Sequence, residues 1–148
     1  MSELNKGFMV AKVLKQILGS IRQNVGQEFK KMNLTGPQGM LVGILAHHGS
    51  MKISDLSERL GLSNSTVSGI VDRLEKQRFV ERIRSEEDRR VVQVDLTSDF
   101  KKTAKNQFSQ IEKNFEAILN EATPEEVNKI FEGLNLLKEL MESQRNKE

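Results

Sequence analysis

Residues 53–76, ISDLSERLGLSNSTVSGIVDRLEK, decide the fold of this chain of 148 residues. Gly61 supplies a helix stop near the middle of the stretch, and Ser63 or Asn64 then caps a second helix. Apolar residues recur at helical spacing on both sides of the glycine: Leu56, Leu60, Val67, Ile70, Val71 and Leu74. Leu62, directly after the stop, is expected to point inward. Two short helices joined by a glycine turn are typical of a helix-turn-helix.

The outward face of the second helix is built from small side chains. Ser65, Thr66, Ser68 and Gly69 occupy its first turns, and Arg73 follows one turn later. In a helix-turn-helix the second helix enters the DNA major groove with its N-terminal residues at the base edges. Hydroxyl and amide groups near the helix start are therefore expected to bond phosphates and base edges, and Arg73 is the better candidate for contacting guanine.

A charged hairpin follows this motif. Residues 80–84 and 90–96 alternate apolar and polar side chains around a polar loop at 85–89, the two-residue period of half-buried strands. The extended residues 51–53 could pair with this hairpin. Two interpretations stay open. The loop is either a solvated turn or a wing whose arginines Arg84, Arg89 and Arg90 enter a minor groove while its acids brace them.

Helices are predicted on both sides of the central stretch. A long amphipathic helix spans about residues 4–32, and Thr35 caps the next one, which ends near His47. Ser54 is expected to cap the first helix of the central motif. Thr97 or Ser98 caps a helix that extends to about Glu121, and Thr123 followed by Pro124 starts the last one. The fold class is mainly α with a small β-hairpin.

Composition limits the chemistry. The 23 lysines and arginines nearly balance 21 acids, for a net charge of +2, so any DNA affinity must come from a few well-placed cations. There is no cysteine, and the adjacent His47 and His48 have no third partner for a metal site, although a pH-sensing role stays open. No cofactor, metal or catalytic constellation is expected. No apolar run approaches the ~20 residues that a bilayer requires. The N-terminus lacks a signal-peptide core, which predicts a cytoplasmic location.

Several segments together resemble the MarR family of winged helix-turn-helix transcriptional regulators. They are LSERLGLSNSTVSGIVDRLEKQ, then VER, then DRRVVQVDLT at residues 88–97. The resemblance implies long N- and C-terminal helices (1–34 and 98–148) that join two copies into a homodimer. It also implies a winged helix-turn-helix region at 35–97. The implied function is a repressor that binds a pseudo-palindromic double-stranded DNA operator and releases it when a small aromatic or phenolic ligand binds.

Matched residue by residue, the resemblance implies two groups of DNA-binding positions. The recognition-helix group is Ser63, Asn64, Ser65, Thr66, Ser68 and Arg73, and the wing pair is Asp88 and Arg90. The pattern is broken at two positions, where Arg78 and Phe100 stand in place of the usual glycine. Arg78 implies either a strained left-handed helix cap or a different cap. Phe100 implies an altered junction between the wing and the following helix.

One alternative comes from another functional class. A helical protein-interaction module without DNA binding would agree better with the weak basicity of the chain. An enzyme is a poor fit, because the sequence contains no nucleophile–base pair, phosphate-binding loop or metal cluster in an interpretable arrangement.

Overall fold

The computed structural model describes residues 5–147. Within that range the chain forms six helices and three short strands. In chain order they are α1 (Lys6–Lys31), α2 (Gly36–His48), β1 (Met51–Lys52), α3 (Ile53–Leu60), α4 (Asn64–Lys76), β2 (Val80–Arg84), β3 (Val92–Leu96), α5 (Ser98–Leu119) and α6 (Pro124–Arg145). The predicted fold class is confirmed: a mainly helical chain with a small antiparallel sheet. Leu4, where the first helix was expected to begin, lies outside the described residues.

The chain divides into two compact units, one ending at Ile111 and one beginning at Glu112. The first unit contains the core, which fills the space where α2, α3 and α4 meet the sheet. Its largest fully buried members come from the apolar stripes of these helices and from alternate strand positions. They are Leu41, Val42, Leu45, Leu56, Val67, Val71, Leu74, Val80, Val94 and Leu96. Leu62 does not join them. It is 38% exposed, so its expected inward position is wrong.

The sheet has the strand order β1-β3-β2, with both pairings antiparallel. Met51 lies opposite Val94 and Lys52 opposite Gln93, which confirms the expected pairing for these two residues, whereas Ile53, also expected to be extended, begins α3. Val80 lies opposite Leu96 and Arg84 opposite Val92, so the hairpin loop covers 85–91 and the second strand starts later than predicted.

The helix starts follow the sequence signals with one exception. Thr35 and Thr123 each cap a helix through a reciprocal capping box, with Gln38 and Glu126 as the respective partners. Ser54 does not cap α3, because that helix already begins at Ile53. Lys52, the residue in the cap position, is paired in the sheet with Gln93. The strand therefore runs directly into the helix.

The second unit comprises the end of α5 and the whole of α6. Its apolar residues recur along α6 at helical spacing, as predicted, yet no residue of α6 is buried. Those exposed by more than about a third are Ile130, Phe131, Leu134, Leu136, Leu140 and Met141. In the first unit, the N-terminal part of α1 also carries exposed apolar side chains, at Phe8, Met9, Val10, Val13, Ile17 and Leu18. Over the described residues, no helix combines the length and apolar character needed to cross a bilayer.

Candidate nucleic-acid interface

The N-terminus of α4 presents a cluster of short polar side chains. Ser63 is the cap, and its Oγ accepts a hydrogen bond from the backbone N–H of Thr66 at 3.2 Å. The same hydroxyl donates to Thr66 Oγ1 at 2.8 Å and lies 3.2 Å from Ser65 Oγ. Ser63, Asn64, Ser65 and Thr66 are all exposed. The cap thus orders the hydroxyls at the end of a helix whose free N–H groups attract anions.

The remaining predicted contacts on α4 differ in accessibility. Val67, Ile70, Val71 and Leu74 bury one face of the helix against the core. Arg73 is exposed, whereas Ser68 is only half-exposed, and its Oγ lies 3.5 Å from Nη2 of an arginine on β2. Ser68 is therefore less available to an external partner than the residues at the helix start.

That arginine is Arg82, which the sequence predictions did not single out. Its Nη2 donates to Asp72 Oδ1 at 2.8 Å and its Nη1 to Glu75 Oε1 at 3.1 Å. The two carboxylates are three residues apart on α4, so they lie on the same side of the helix. Strand alternation places Arg82 on the same face as Arg84, but the sequence does not reveal that this face meets the acids of α4.

Arg84 and Arg90 both make hydrogen bonds within the charged hairpin that forms the wing. Asp88 accepts from the backbone N–H and the Nε of Arg90, both at 3.1 Å, and from its Nη2 at 3.3 Å. The side-chain and then the backbone hydrogen bonds from Arg90 lower the pKa of Asp88 from its ordinary value. Arg84 Nη1 donates to the carbonyl oxygen of Arg89 at 2.8 Å. The tip is thus a closed loop with its cations outward, since Arg89 is exposed and the Arg90 side chain is 91% exposed.

The two departures from the family pattern, Arg78 and Phe100, lie close together in the structure, because Phe100 packs on the residue that follows Arg78. Arg78 has φ = 63°, the left-handed conformation, so the first of the two expected outcomes, a strained cap, is the one observed. Its N–H bonds Glu75 and the N–H of Phe79 bonds Leu74, the two bonds of a Schellman cap. Phe100 is 6% exposed and stacks on Phe79, with ring centroids 4.1 Å apart at an angle of 17°. The larger side chain at the junction is therefore packed on the residue that ends the α4 cap.

A cavity of about 420 Å³, broadly open to solvent, lies in the first unit among α1, α2, α3 and α5. Its lining is mostly apolar, with a cation and two imidazoles: Phe29, Gly39, Met40, Gly43, Ile44, His47, His48, Arg59, Leu60 and Phe108. The rings of Phe29 and Phe108 meet edge to face, 6.0 Å between centroids. Gly39 and Gly43 leave room for them, since a Cβ built on either glycine would lie within 3 Å of a ring atom.

The paired histidines, considered above for metal or pH sensing, face this cavity. Arg59 Nη1 lies 3.2 Å from His48 Nε2. Desolvation, and then the charges of Arg59 and His47, lower the pKa of His48. A neutral imidazole that accepts from Arg59 is consistent with that direction. No group of three or more metal-ligating side chains occurs between residues 5 and 147.

Comparison with known proteins identifies a family, a related sequence and similar structures. The sequence model of the MarR family matches residues 34–92, from just before α2 to the start of β3. YfiV, an uncharacterised HTH-type transcriptional regulator of Bacillus subtilis, is 38% identical over 116 residues, which cover 78% of this chain and 72% of that protein. The structure of a MarR family protein from Bacillus stearothermophilus aligns with a TM-score of 0.84 at 22% identity, covering 95% of this chain and 99% of the other.

A further solved structure contains a ligand. NadR in complex with 4-hydroxyphenylacetate aligns with a TM-score of 0.71 at 21% identity, and the alignment covers 90% of this chain and 98% of NadR. At such identities the two structural matches show the fold alone.

Proposed function

The chain belongs to the MarR family of HTH-type transcriptional regulators, and on that premise we propose that it binds a pseudo-palindromic DNA operator as a homodimer. The geometry of α4 supports this most directly. Its N-terminal turn exposes Ser63, Asn64, Ser65 and Thr66, while the opposite face is anchored in the core. A helix so held, with small polar groups at its free end, fits a major groove.

The proposed contacts fall into two groups. Ser63, Asn64, Ser65 and Thr66 bond phosphates and base edges at the start of the groove, Ser68 contributes at the margin, and Arg73 reaches a guanine edge. At the wing, Arg89 and Arg90 enter the adjacent minor groove, while Arg84 and Asp88 hold the loop in shape through the bonds described above. A bound dimer covers its operator and blocks access by other proteins, so the regulatory outcome we propose is repression.

Selection of bound DNA from random duplexes with the purified chain tests this function. Two equal recognition helices about 34 Å apart would recover an inverted repeat with half-sites one helical turn apart. Recovery of unrelated sequences, or of single half-sites without symmetry, would contradict operator binding by a dimer.

We also propose that the cavity in the first unit holds the effector, a small aromatic anion. The apolar lining suits an aromatic ring, and Arg59 at the same cavity supplies a cation for a carboxylate or phenolate. The phenolic acid bound to NadR is of this class. A usable probe is 4-hydroxyphenylacetate, with the uncharged 4-hydroxyphenylacetamide as its matched control. The acid is expected to release DNA and the amide is not. Equal effects of the two compounds would show that Arg59 does not recognise the negative charge of the ligand.

The near-neutral net charge of +2 favours a second candidate, a module that acts through protein contacts alone. The dependence of affinity on salt separates the two functions. For a DNA-binding regulator the logarithm of the association constant falls by about 0.9 per phosphate contact for each unit of log salt concentration. Absence of measurable affinity for duplex DNA at low salt would favour the interaction module.

A further inference from the structure

The C-terminal half of α4 presents an electrostatic problem for the function just proposed. Asp72 and Glu75 are both exposed and lie on one side of the helix that would enter the groove. DNA carries one negative charge per about 1.7 Å of its axis, so two carboxylates on a groove-bound helix are repelled by nearby phosphates. DNA binding therefore requires a cation on the protein that neutralises these two carboxylates.

Arg82 is placed to do so. Its guanidinium donates to both carboxylates, at 2.8 Å to Asp72 and 3.1 Å to Glu75. The side chain is only 28% exposed, compared with 58% for Asp72 and 43% for Glu75, so the cation sits on the protein side of the acids. The fork geometry of arginine allows this double bridge, which a lysine ammonium cannot reproduce with the same alignment.

The strand that carries Arg82 is itself firmly held, so the bridge also fixes the position of α4 relative to the sheet. Arg82 lies opposite the fully buried Val94 in the β2–β3 ladder, and Val80 on the same strand is buried in the core. The third contact, 3.5 Å to Ser68 Oγ, extends the bridge toward the N-terminal half of α4. The arginine therefore connects the base of the wing to the recognition helix at three points.

We propose that Arg82 is a positioning residue for DNA binding, which masks Asp72 and Glu75 from the phosphates and fixes the wing base against α4. The inference rests on the proposed function and assigns Arg82 no contact with DNA. It separates the arginines of the hairpin into two kinds. Arg89 and Arg90 face outward to the nucleic acid, whereas Arg82 faces the recognition helix.

A double-mutant cycle in DNA affinity tests the proposal, with the full chain and the duplex recovered by selection. Arg82→Gln is expected to weaken binding by about tenfold or more, because it exposes two unneutralised carboxylates. The same substitution in an Asp72→Asn/Glu75→Gln background is expected to change affinity by less than about threefold, since there is no charge left to mask. The slope of affinity against salt should then match that of the unsubstituted chain, because no phosphate contact is lost.

Controls for charge and for folding accompany this cycle. Arg22→Gln on α1 removes the same charge outside the winged region and serves as the control. Circular dichroism and thermal unfolding report whether Arg82→Gln folds. If it does not, Arg82→Lys replaces it, because this variant keeps the charge but loses the fork. Arg82→Lys should bind DNA less tightly than the parent. Adding Asp72→Asn and Glu75→Gln to Arg82→Lys should raise its affinity again.

A loss of equal size in both backgrounds, with a smaller salt slope, would make Arg82 a direct phosphate contact and overturn the proposal. No loss in either background would also overturn it. Failure of the unsubstituted chain to bind any duplex would instead contradict the proposed function, so the two failures are distinguishable.

Discussion

Arg78 adopts a backbone conformation that is unfavourable for any residue with a Cβ. Its φ of 63° costs about 1–2 kcal/mol relative to the right-handed regions. The cap persists because its bonds are otherwise complete, and Thr97 Oγ1 donates to the Arg78 carbonyl oxygen at 2.9 Å. A residue with no Cβ would keep those backbone bonds and remove the strain.

Arg78→Gly is therefore expected to stabilise the fold by about 0.5–1 kcal/mol, the relief of strain less the greater entropy that glycine loses on folding. Denaturant unfolding at fixed protein concentration measures the difference. Gln77→Gly is the matched control, because Gln77 has an ordinary φ of −77° and should only lose stability. A destabilisation of similar size in both variants would show that the left-handed position is not strained.

At the wing, Arg90→Ala is expected to weaken DNA binding and reduce the salt slope by about one contact, with little change in thermal stability. It also removes the main cause of the lowered pKa of Asp88, so that pKa should rise toward its ordinary value. The sign follows from the direction of the shift. The pair stabilises the fold at pH values above the ordinary pKa, and this contribution is lost as the pH falls through the lowered value.

Gel shifts and carboxyl NMR titration of Asp88 measure the two effects of Arg90→Ala independently. Arg22→Ala on α1 provides a variant with the same loss of charge outside the wing. Unchanged DNA affinity of Arg90→Ala would exclude the proposed wing contact, whatever happens to the pKa of Asp88.

At the scale of elements, the helix-turn-helix was readable from the sequence because its signals are local. Apolar spacing, the glycine stop and the serine cap each act within one or two turns. Arg82 could not be found in this way, since its partners are seven and ten residues away and meet it only after the hairpin folds over α4. The cavity could not be predicted from the sequence for the same reason. Its walls come from four helices, and the space depends on two glycines that a periodicity argument ignores.

Those glycines lead to a prediction about α2, tested against a glycine in α4. A Cβ at Gly39 would clash with the ring of Phe29, whereas a Cβ at Gly69 meets nothing within 4 Å. Gly39→Ala is expected to destabilise the fold by about 1–3 kcal/mol through overpacking. Gly69→Ala should stabilise it by up to about 1 kcal/mol through helix propensity. Thermal unfolding of both variants checks the contrast, and equal shifts would show that Phe29 moves aside without cost.

At the scale of the whole molecule, the apolar residues left exposed are concentrated on particular helices. Six large apolar side chains on α1 and six on α6 are exposed by more than a third in the part of the chain that the structure describes. A monomer rarely leaves contiguous apolar stripes of this kind in contact with water, so such stripes indicate an interface. In a symmetric homodimer the same patch is used by both copies, which is how a chain with a single recognition helix could read two half-sites.

Placing a charge in either stripe is therefore expected to separate the proposed dimer and to abolish operator binding at the same time. Phe131, 68% exposed on α6, and Phe8, 71% exposed on α1, are the clearest positions, and the variants are Phe131→Glu and Phe8→Glu. Lys129→Gln on α6 changes the net charge by the same amount at an exposed ion pair with Glu125 and should leave assembly intact. Sedimentation equilibrium across micromolar concentrations, with gel shifts on the same samples, measures both properties. A charged variant that stays dimeric, or a monomeric parent that still binds an inverted repeat tightly, would show that these stripes do not join two copies for DNA recognition.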